Sequence, residues 1–234
     1  MHLASYSSSS DTLSDINKLI KSNIVFTSLL LDALSECNIK LFINTGSFSE
    51  YYYNNEILSP TYFYSATKTS ARYIIDYFAK KNNFKAVNAI LYTVYGKKSN
   101  NKKIMEYVID SLNSNDSIKM SDGKQILDFI HIDDVVNFYT NLIYKFNDLN
   151  IIEKNYFVGT GHGTSIRELV QILEEETGKK SNIKWGANKS RLIDTKQAIS
   201  NIVKTAEDLY WSANIDIRDG VKKYIDMISG ATSE

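Results

Sequence analysis

Two apolar runs separated by one helix-length segment constrain this chain most. Ile39 to Thr45 and Ala86 to Tyr92 read as buried strands. Between them, the residues from Pro60 to about Lys81 carry Ile74, Ile75, Tyr77 and Phe78 on an amphipathic pattern. Continuous apolar strands joined by helices belong to a parallel sheet covered on both faces. The 234 residues suffice for one domain, or one domain with a smaller lobe.

The rest of the chain extends this order. Met1 to Ser5 reads as the end of a buried strand, followed by the polar loop Ser7-Ser8-Ser9-Ser10-Asp11. Two helices are expected next, Thr12 to Ile20 and Asn23 to Cys37. The second is apolar on more than one stripe and is expected to be covered on most sides. Beyond Gly96 come an amphipathic helix from Ile104 to Leu112 and short strands near Ile118–Met120 and Ile126–Ile130, joined by the turn Ser121-Asp122-Gly123. A helix opened by Asp133-Asp134 and a strand from Asn155 to Val158 follow. Ser165 and Glu168 then make a capping-box pattern for a helix stopped by Gly178, and a last helix lies near Asp219–Ile228.

The chemistry concentrates between Ser47 and Lys68. A strand delivers Ser47 at its C-terminal end, and a helix carries Tyr64 and Lys68 one turn apart on the same face. A phenol with an ammonium one turn below is a proton-transfer arrangement, and the ammonium is expected to draw the phenol toward neutral pH.

Other classes are excluded or disfavoured. Lys+Arg and Asp+Glu both number 27, which leaves no basic footprint for nucleic acid or an anionic membrane. Cys37 is the single cysteine, so there is no intrachain disulfide or cysteine zinc site, and no metal is expected. Cys37 reads as a buried structural thiol. No apolar run reaches the ~20 residues of a membrane span, and no basic n-region opens the chain, so a cytoplasmic protein is expected. His2 and His131 read as packed or backbone-bonded. Gly159-Thr160-Gly161-His162-Gly163 reads as a turn rather than a phosphate loop. Tyr51-Tyr52-Tyr53 fits either loop packing or stacking on a base.

His2-Leu3-Ala4, Asn23, Asn44-Thr45-Gly46-Ser47, Pro60 with Tyr64-Ser65-Ala66-Thr67-Lys68, Thr93-Val94-Tyr95-Gly96, Asp128-Phe129-Ile130-His131-Ile132-Asp133-Asp134 and Tyr156-Phe157-Val158-Gly159-Thr160-Gly161 occur in one order along the chain. This ordered set resembles the extended short-chain dehydrogenase/reductases, the NAD-dependent epimerase/dehydratase group acting on nucleotide-diphosphate sugars. Within that group the wording around Ser47 and Tyr64 is similar to CDP-sugar 4-ketoreductases of the abequose/paratose synthase kind. Phe48 and Ser49, where dehydratases carry acids, argue against 4,6-dehydration.

The resemblance implies a Rossmann-like α/β fold. Residues 1–96 and 126–160 would form a partial dinucleotide-binding domain, and 97–125 with 161–234 a small C-terminal α/β substrate lobe. Tyr64, Lys68 and Ser47 would be catalytic. Ala4, Asn23, Tyr64, Lys68, Tyr92, Thr93 and Val94 would bind or support NAD or NADP. Ser47, Thr93 and Arg191 would meet a nucleotide-diphosphate sugar, and the helices at 23–37 and 60–81 would form a homodimer.

Two departures accompany the resemblance. Relatives open with a Gly-rich strand–turn–helix and further strands. That opening, roughly 60–70 residues, does not precede His2-Leu3-Ala4 here. Leu127 stands where many relatives carry an arginine. Three readings therefore stay open: a ketoreductase or epimerase whose cofactor half is supplied elsewhere, a non-catalytic nucleotide-sugar binder, and a dimerising fragment.

Overall fold

A computed structural model describes residues 1–52, 57–98, 102–146, 154–188 and 193–230. Helix α1 (Leu13–Leu19) is capped by Thr12, whose side chain accepts from the Asp15 N–H. It runs without a break through a π-helical segment, Ile20–Val25, into α2 (Phe26–Ala33) and a closing 3-10 turn, Leu34–Glu36. The two helices expected here are thus one. Lys21 and Ser22, which look like a break, sit in the π segment, and that segment turns Asn23 into the protein. Only one side of this helix is buried, at Leu19, Asn23, Thr27 and Leu31. Val25, Phe26 and Leu29 are exposed, contrary to the expectation of cover on most sides. Cys37, at its end, is exposed and free rather than buried.

Strand β1 (Leu41–Ser47) leads into a 3-10 turn, Phe48–Glu50, and the long helix α3 (Phe63–Asn82). Next come β2 (Lys85–Leu91), β3 (Thr93–Tyr95), α4 (Ile104–Asn113), β4 (Ile118–Lys119), β5 (Ile126–Leu127), β6 (Phe129–His131) and α5 (Ile132–Lys145). The chain then gives β7 (Asn155–Val158), β8 (Thr164–Ser165), α6 (Ile166–Thr177), β9 (Ile183–Lys184), β10 (Gln197–Ala198), α7 (Val203–Leu209) and α8 (Ile217–Ile228).

The central sheet is parallel in the order β1-β2-β7, with Ser47 opposite Leu91 at its C-terminal end. His2 extends it by one bridge, donating its N–H to the Ile43 carbonyl at 2.8 Å. The β1–α3–β2 unit is the parallel crossover that the alternating pattern predicts. The 118–130 region departs from its expectation. β4 pairs in parallel with β9, and β5 pairs with β10 and β8, so the Ser121-Asp122-Gly123 turn joins strands of different sheets. Their true partners lie far along the chain, where short-range turn chemistry carries no information.

The core falls into a few clusters. One joins the sheet to α5 through Ile43, Val87, Phe138, Tyr156 and Val158, and takes in Leu209 and Trp211 from the C-terminal segment. Another joins α4, α6 and α8 through Val108, Leu169, Leu173, Val221 and Tyr224. Tyr95 belongs to this second cluster, and its hydroxyl lies against α8. A Cβ on Gly220 would stand 1.9 Å from it. Gly220→Ala is expected to destabilise by about 1–3 kcal/mol through overpacking, read as a lowered midpoint of chemical denaturation. Wild-type stability in this variant would show that α8 shifts freely.

Candidate active site

Ser47 ends β1 and caps the following 3-10 turn. Its hydroxyl lies 2.9 Å from the Ser49 hydroxyl, which accepts from Ser65 at 2.7 Å. Ser49 and Ser65 are buried, so a chain of three hydroxyls fixes the Ser47 side chain. Its N–H donates to Glu50 Oε1 at 2.8 Å.

Tyr64 and Lys68 occupy successive turns of α3. Tyr64 is partly exposed in the wall of a cleft of about 820 Å³, whose lining includes Tyr6, Ser8, Phe48, Tyr62, Lys103 and Tyr107. Lys68 is buried beneath it. Burial, the Glu50 carboxylate second, pushes the Tyr64 phenol up to about 12, against a hydrogen bond from Ser5 that lowers it. This reverses the expected direction. The Lys68 ammonium costs desolvation in its own right: burial pulls it down to about 8, with Glu50 opposing and Arg72 reinforcing the fall. In this state Tyr64 is a phenol held protonated, and Lys68 is the group that titrates near neutrality.

The remaining predicted residues are placed as follows. Asn23 is buried and does not face the cleft. Its Nδ2 donates to the Tyr6 carbonyl and to Thr67 Oγ1, both at 3.0 Å, and its Oδ1 accepts from the Tyr6 N–H at 3.0 Å. It thereby clamps the Ser-rich loop that lines the cleft. Ala4 is exposed just past the His2 bridge. Tyr92 is buried and stacks on Phe48, their ring centroids 5.7 Å apart. Thr93 and Val94 line a smaller cavity behind the cleft, and the two share Lys103. Arg191, the predicted sugar-nucleotide contact, lies outside the described residues, as does Tyr53. Tyr51 packs in the interior, edge-on to Phe157. Leu127 packs against the Tyr92–Phe157 cluster.

His2 Nε2 lies 3.1 Å from Thr27 Oγ1, and His131 Nδ1 accepts from the Asp133 N–H at 3.2 Å, capping α5. The Gly159–Gly163 loop does gather backbone donors, but they point at a residue of the protein. The buried Asp128 carboxylate accepts from the N–H groups of Thr160, Gly161 and Ser200. Among the described residues, no cluster of His, Cys, Asp or Glu is placed to hold a metal, and no helix is long and apolar enough to cross a membrane.

Parallel strands with helical crossovers, and a polar cleft at the strands' carboxyl ends, define a Rossmann-type α/β protein. Residues 1–158 match the NAD dependent epimerase/dehydratase family, and the chain belongs to that family. It is 29% identical over 216 residues to a CDP-abequose synthase of Salmonella muenchen, covering 91% of this chain and 71% of that protein. A CDP-abequose synthase of Salmonella typhimurium is 30% identical over 207 residues, covering 87% and 68%. The UDP-glucuronic acid 4-epimerase of Bacillus cereus, solved with UDP-glucuronic acid and NAD, superposes with a TM-score of 0.90. The match spans 99% of this chain and 75% of that one at 23% identity.

Proposed function

We propose that the protein reduces the C4 ketone of a nucleotide-diphosphate sugar, with Tyr64 as proton donor and NADH or NADPH as reductant. The observation that carries this reading is the placement of Tyr64: a phenol in the wall of the cleft, with a buried ammonium one turn along the same helix and the braced Ser47 hydroxyl at the strand end. A reductase needs an acid at the ketone oxygen, whereas an epimerase must also run the same group as a base. The similarity to CDP-abequose synthases favours the reductase.

The residues present fit the nicotinamide end of a dinucleotide. Lys68 offers a cation beneath Tyr64 for the ribose hydroxyls, and the cleft has room for a ring and a sugar. The Gly159–Gly163 loop does not fit a pyrophosphate, because Asp128 fills it. The bound nicotinamide would supply hydride to C4. Tyr64 would pass its phenolic proton to the C4 oxygen, and Ser47, braced by Ser49, would hydrogen-bond that oxygen. Tyr62 and Tyr107 would shield the sugar from water.

The test is consumption of NADPH or NADH with CDP-linked 4-keto sugars, followed by product analysis. Turnover that consumes one reductant per sugar and leaves C4 as an alcohol supports the reading. Sugar-nucleotide binding with no reductant consumed overturns it in favour of a binding protein. The exposed face formed by Val25 at the end of the π segment, Phe26 and Leu29 on α2, and Tyr73 and Tyr77 on α3 supports a homodimer through these helices. Sedimentation is expected to give a dimer, and Leu29→Glu with Tyr77→Glu a monomer. A monomeric wild type would refute that assembly.

A further inference from the structure

The site contains a buried ion pair that the chemistry above does not use. Glu50 is fully buried, and Arg72 is 6% exposed. Arg72 Nε lies 2.7 Å from Glu50 Oε2, and its Nη1 donates to the Tyr51 hydroxyl at 2.8 Å and to Asn155 Oδ1 at 3.3 Å. The other Glu50 oxygen takes the Ser47 N–H, and Thr69 donates to Oε2 at 3.2 Å. The strand makes room for this pair. A Cβ on Gly46 would meet Arg72 Nη2 and Glu50 Oε1, each at 2.9 Å. A buried ion pair is a weak stabiliser compared with apolar side chains of the same volume, so stability gives little physical reason for it.

We propose that Glu50 is a positioning residue of the active site: it holds the Ser47 backbone N–H with one oxygen and Arg72 and Thr69 with the other, and so fixes one negative charge against the stretch of α3 that carries Lys68. This rests on the reading of Tyr64, Lys68 and Ser47 as the reacting groups. The charged and titratable groups around Lys68 are few. Glu50 comes from the 3-10 turn, Arg72 and Tyr64 from its own helix, and His2 from the N-terminal bridge. Glu50 is the single acid among them, set against the Arg72 guanidinium and the Lys68 ammonium itself. It keeps Lys68 charged at neutral pH and opposes ionisation of Tyr64. A Lys68 that kept its proton without Glu50 would leave the carboxylate no electrostatic task.

The test reads the two groups directly, by NMR titration of protein labelled at the lysine ε-carbon and the tyrosine ring carbon bearing the hydroxyl. Lys68→Met and Tyr64→Phe assign the signals. Glu50→Gln is expected to move the Lys68 midpoint down by about one pH unit, while Arg72→Met moves it up. Glu50→Asp, which keeps the charge, is expected to hold it near the wild-type position. In steady-state assays Glu50→Gln should lower kcat while KM stays within about twofold. A Lys68 midpoint that is unmoved in Glu50→Gln, or that moves the same way in both variants, overturns the proposal. Should Glu50→Gln fail to fold, the Arg72→Met titration decides it alone. A wild type that consumes no NADH or NADPH refutes the ketoreductase reading but leaves both titrations standing.

Discussion

Tyr64→Phe is expected to lower kcat/KM for ketone reduction by about 10²–10⁴-fold, the usual worth of a positioned acid. The change deletes one oxygen and keeps the ring in the cleft wall, so KM for the sugar nucleotide should move little. The pH profile gives a sharper check. With the phenol pushed up to about 12 and the ammonium drawn down to about 8, the group that loses its proton first on raising pH is Lys68. Lys68 is a cation, so the charged form is present below pH 8 and disappears above it. The profile of kcat/KM, which reports the free enzyme, should therefore fall as pH rises through about 8. Lys68→Arg should abolish that alkaline limb, because a guanidinium stays charged. An unchanged limb in Lys68→Arg would assign it to another group, and a Tyr64→Phe enzyme retaining a tenth of wild-type turnover would remove Tyr64 from the chemistry.

The parts of this site that could be read from the sequence are those set by local spacing. Tyr64 and Lys68 are four apart on a strongly patterned helix, and Ser47 ends an apolar strand. Both elements form within two or three residues of their expected bounds. What could not be read depends on contacts between distant residues. In the sequence Glu50 is one polar residue after the strand, with no spacing that singles it out. Its meaning comes from Arg72, a full turn beyond Lys68, and from the bare backbone of Gly46. The direction of the Tyr64 shift was missed for the same reason. Spacing shows that an ammonium is near, but not that Lys68 is buried, Tyr64 half-buried, and a carboxylate acts on both. The contacts of Asn23 are equally hidden in the sequence. The π-helical segment and the bonds to Tyr6 show it clamping the loop that lines the cleft, and periodicity has no signal for such a segment.

Asp128 illustrates how a misleading local motif is resolved, and it supports the second large effect. Gly159, Gly161 and Gly163 have the alternating spacing of a phosphate loop, and the N–H groups of Thr160 and Gly161 do converge on an anion. That anion is Asp128, 0% exposed, and the signal for it lay in the Asp-Phe-Ile-His stretch some thirty residues earlier. Its Oδ1 accepts from the Thr160 N–H at 2.8 Å and hydroxyl at 2.7 Å. Its Oδ2 accepts from the Gly161 N–H at 2.9 Å and from the Ser200 N–H at 3.1 Å and hydroxyl at 2.5 Å. The Asp128 backbone meanwhile donates to the Ala198 carbonyl and accepts from the Thr93 N–H, so one residue ties β3, β10 and the end of β7 together. Asp128→Ala strands the buried Ser200 N–H and the half-buried Thr160 N–H, leaves the Gly161 N–H only the Ser200 hydroxyl, and removes both hydroxyl contacts, and is expected to cost about 3–5 kcal/mol. For a chain of this size that is roughly 10 °C in melting temperature.

Asp128→Asn separates shape from chemistry. The amide is isosteric, but every neighbour in the cradle is a donor. Whichever way the amide turns, its NH₂ faces at least one backbone N–H. The hydroxyls of Thr160 and Ser200 can rotate to accept from it, but the N–H groups of Thr160, Gly161 and Ser200 cannot. Asparagine should therefore recover only a minor part of the loss, and thermal denaturation of the two variants beside wild type measures it. An Asp128→Asn protein as stable as wild type would mean that the loop relaxes around a neutral side chain. In that case the carboxylate would be a guest of the Gly159–Gly163 turn rather than the group that shapes it.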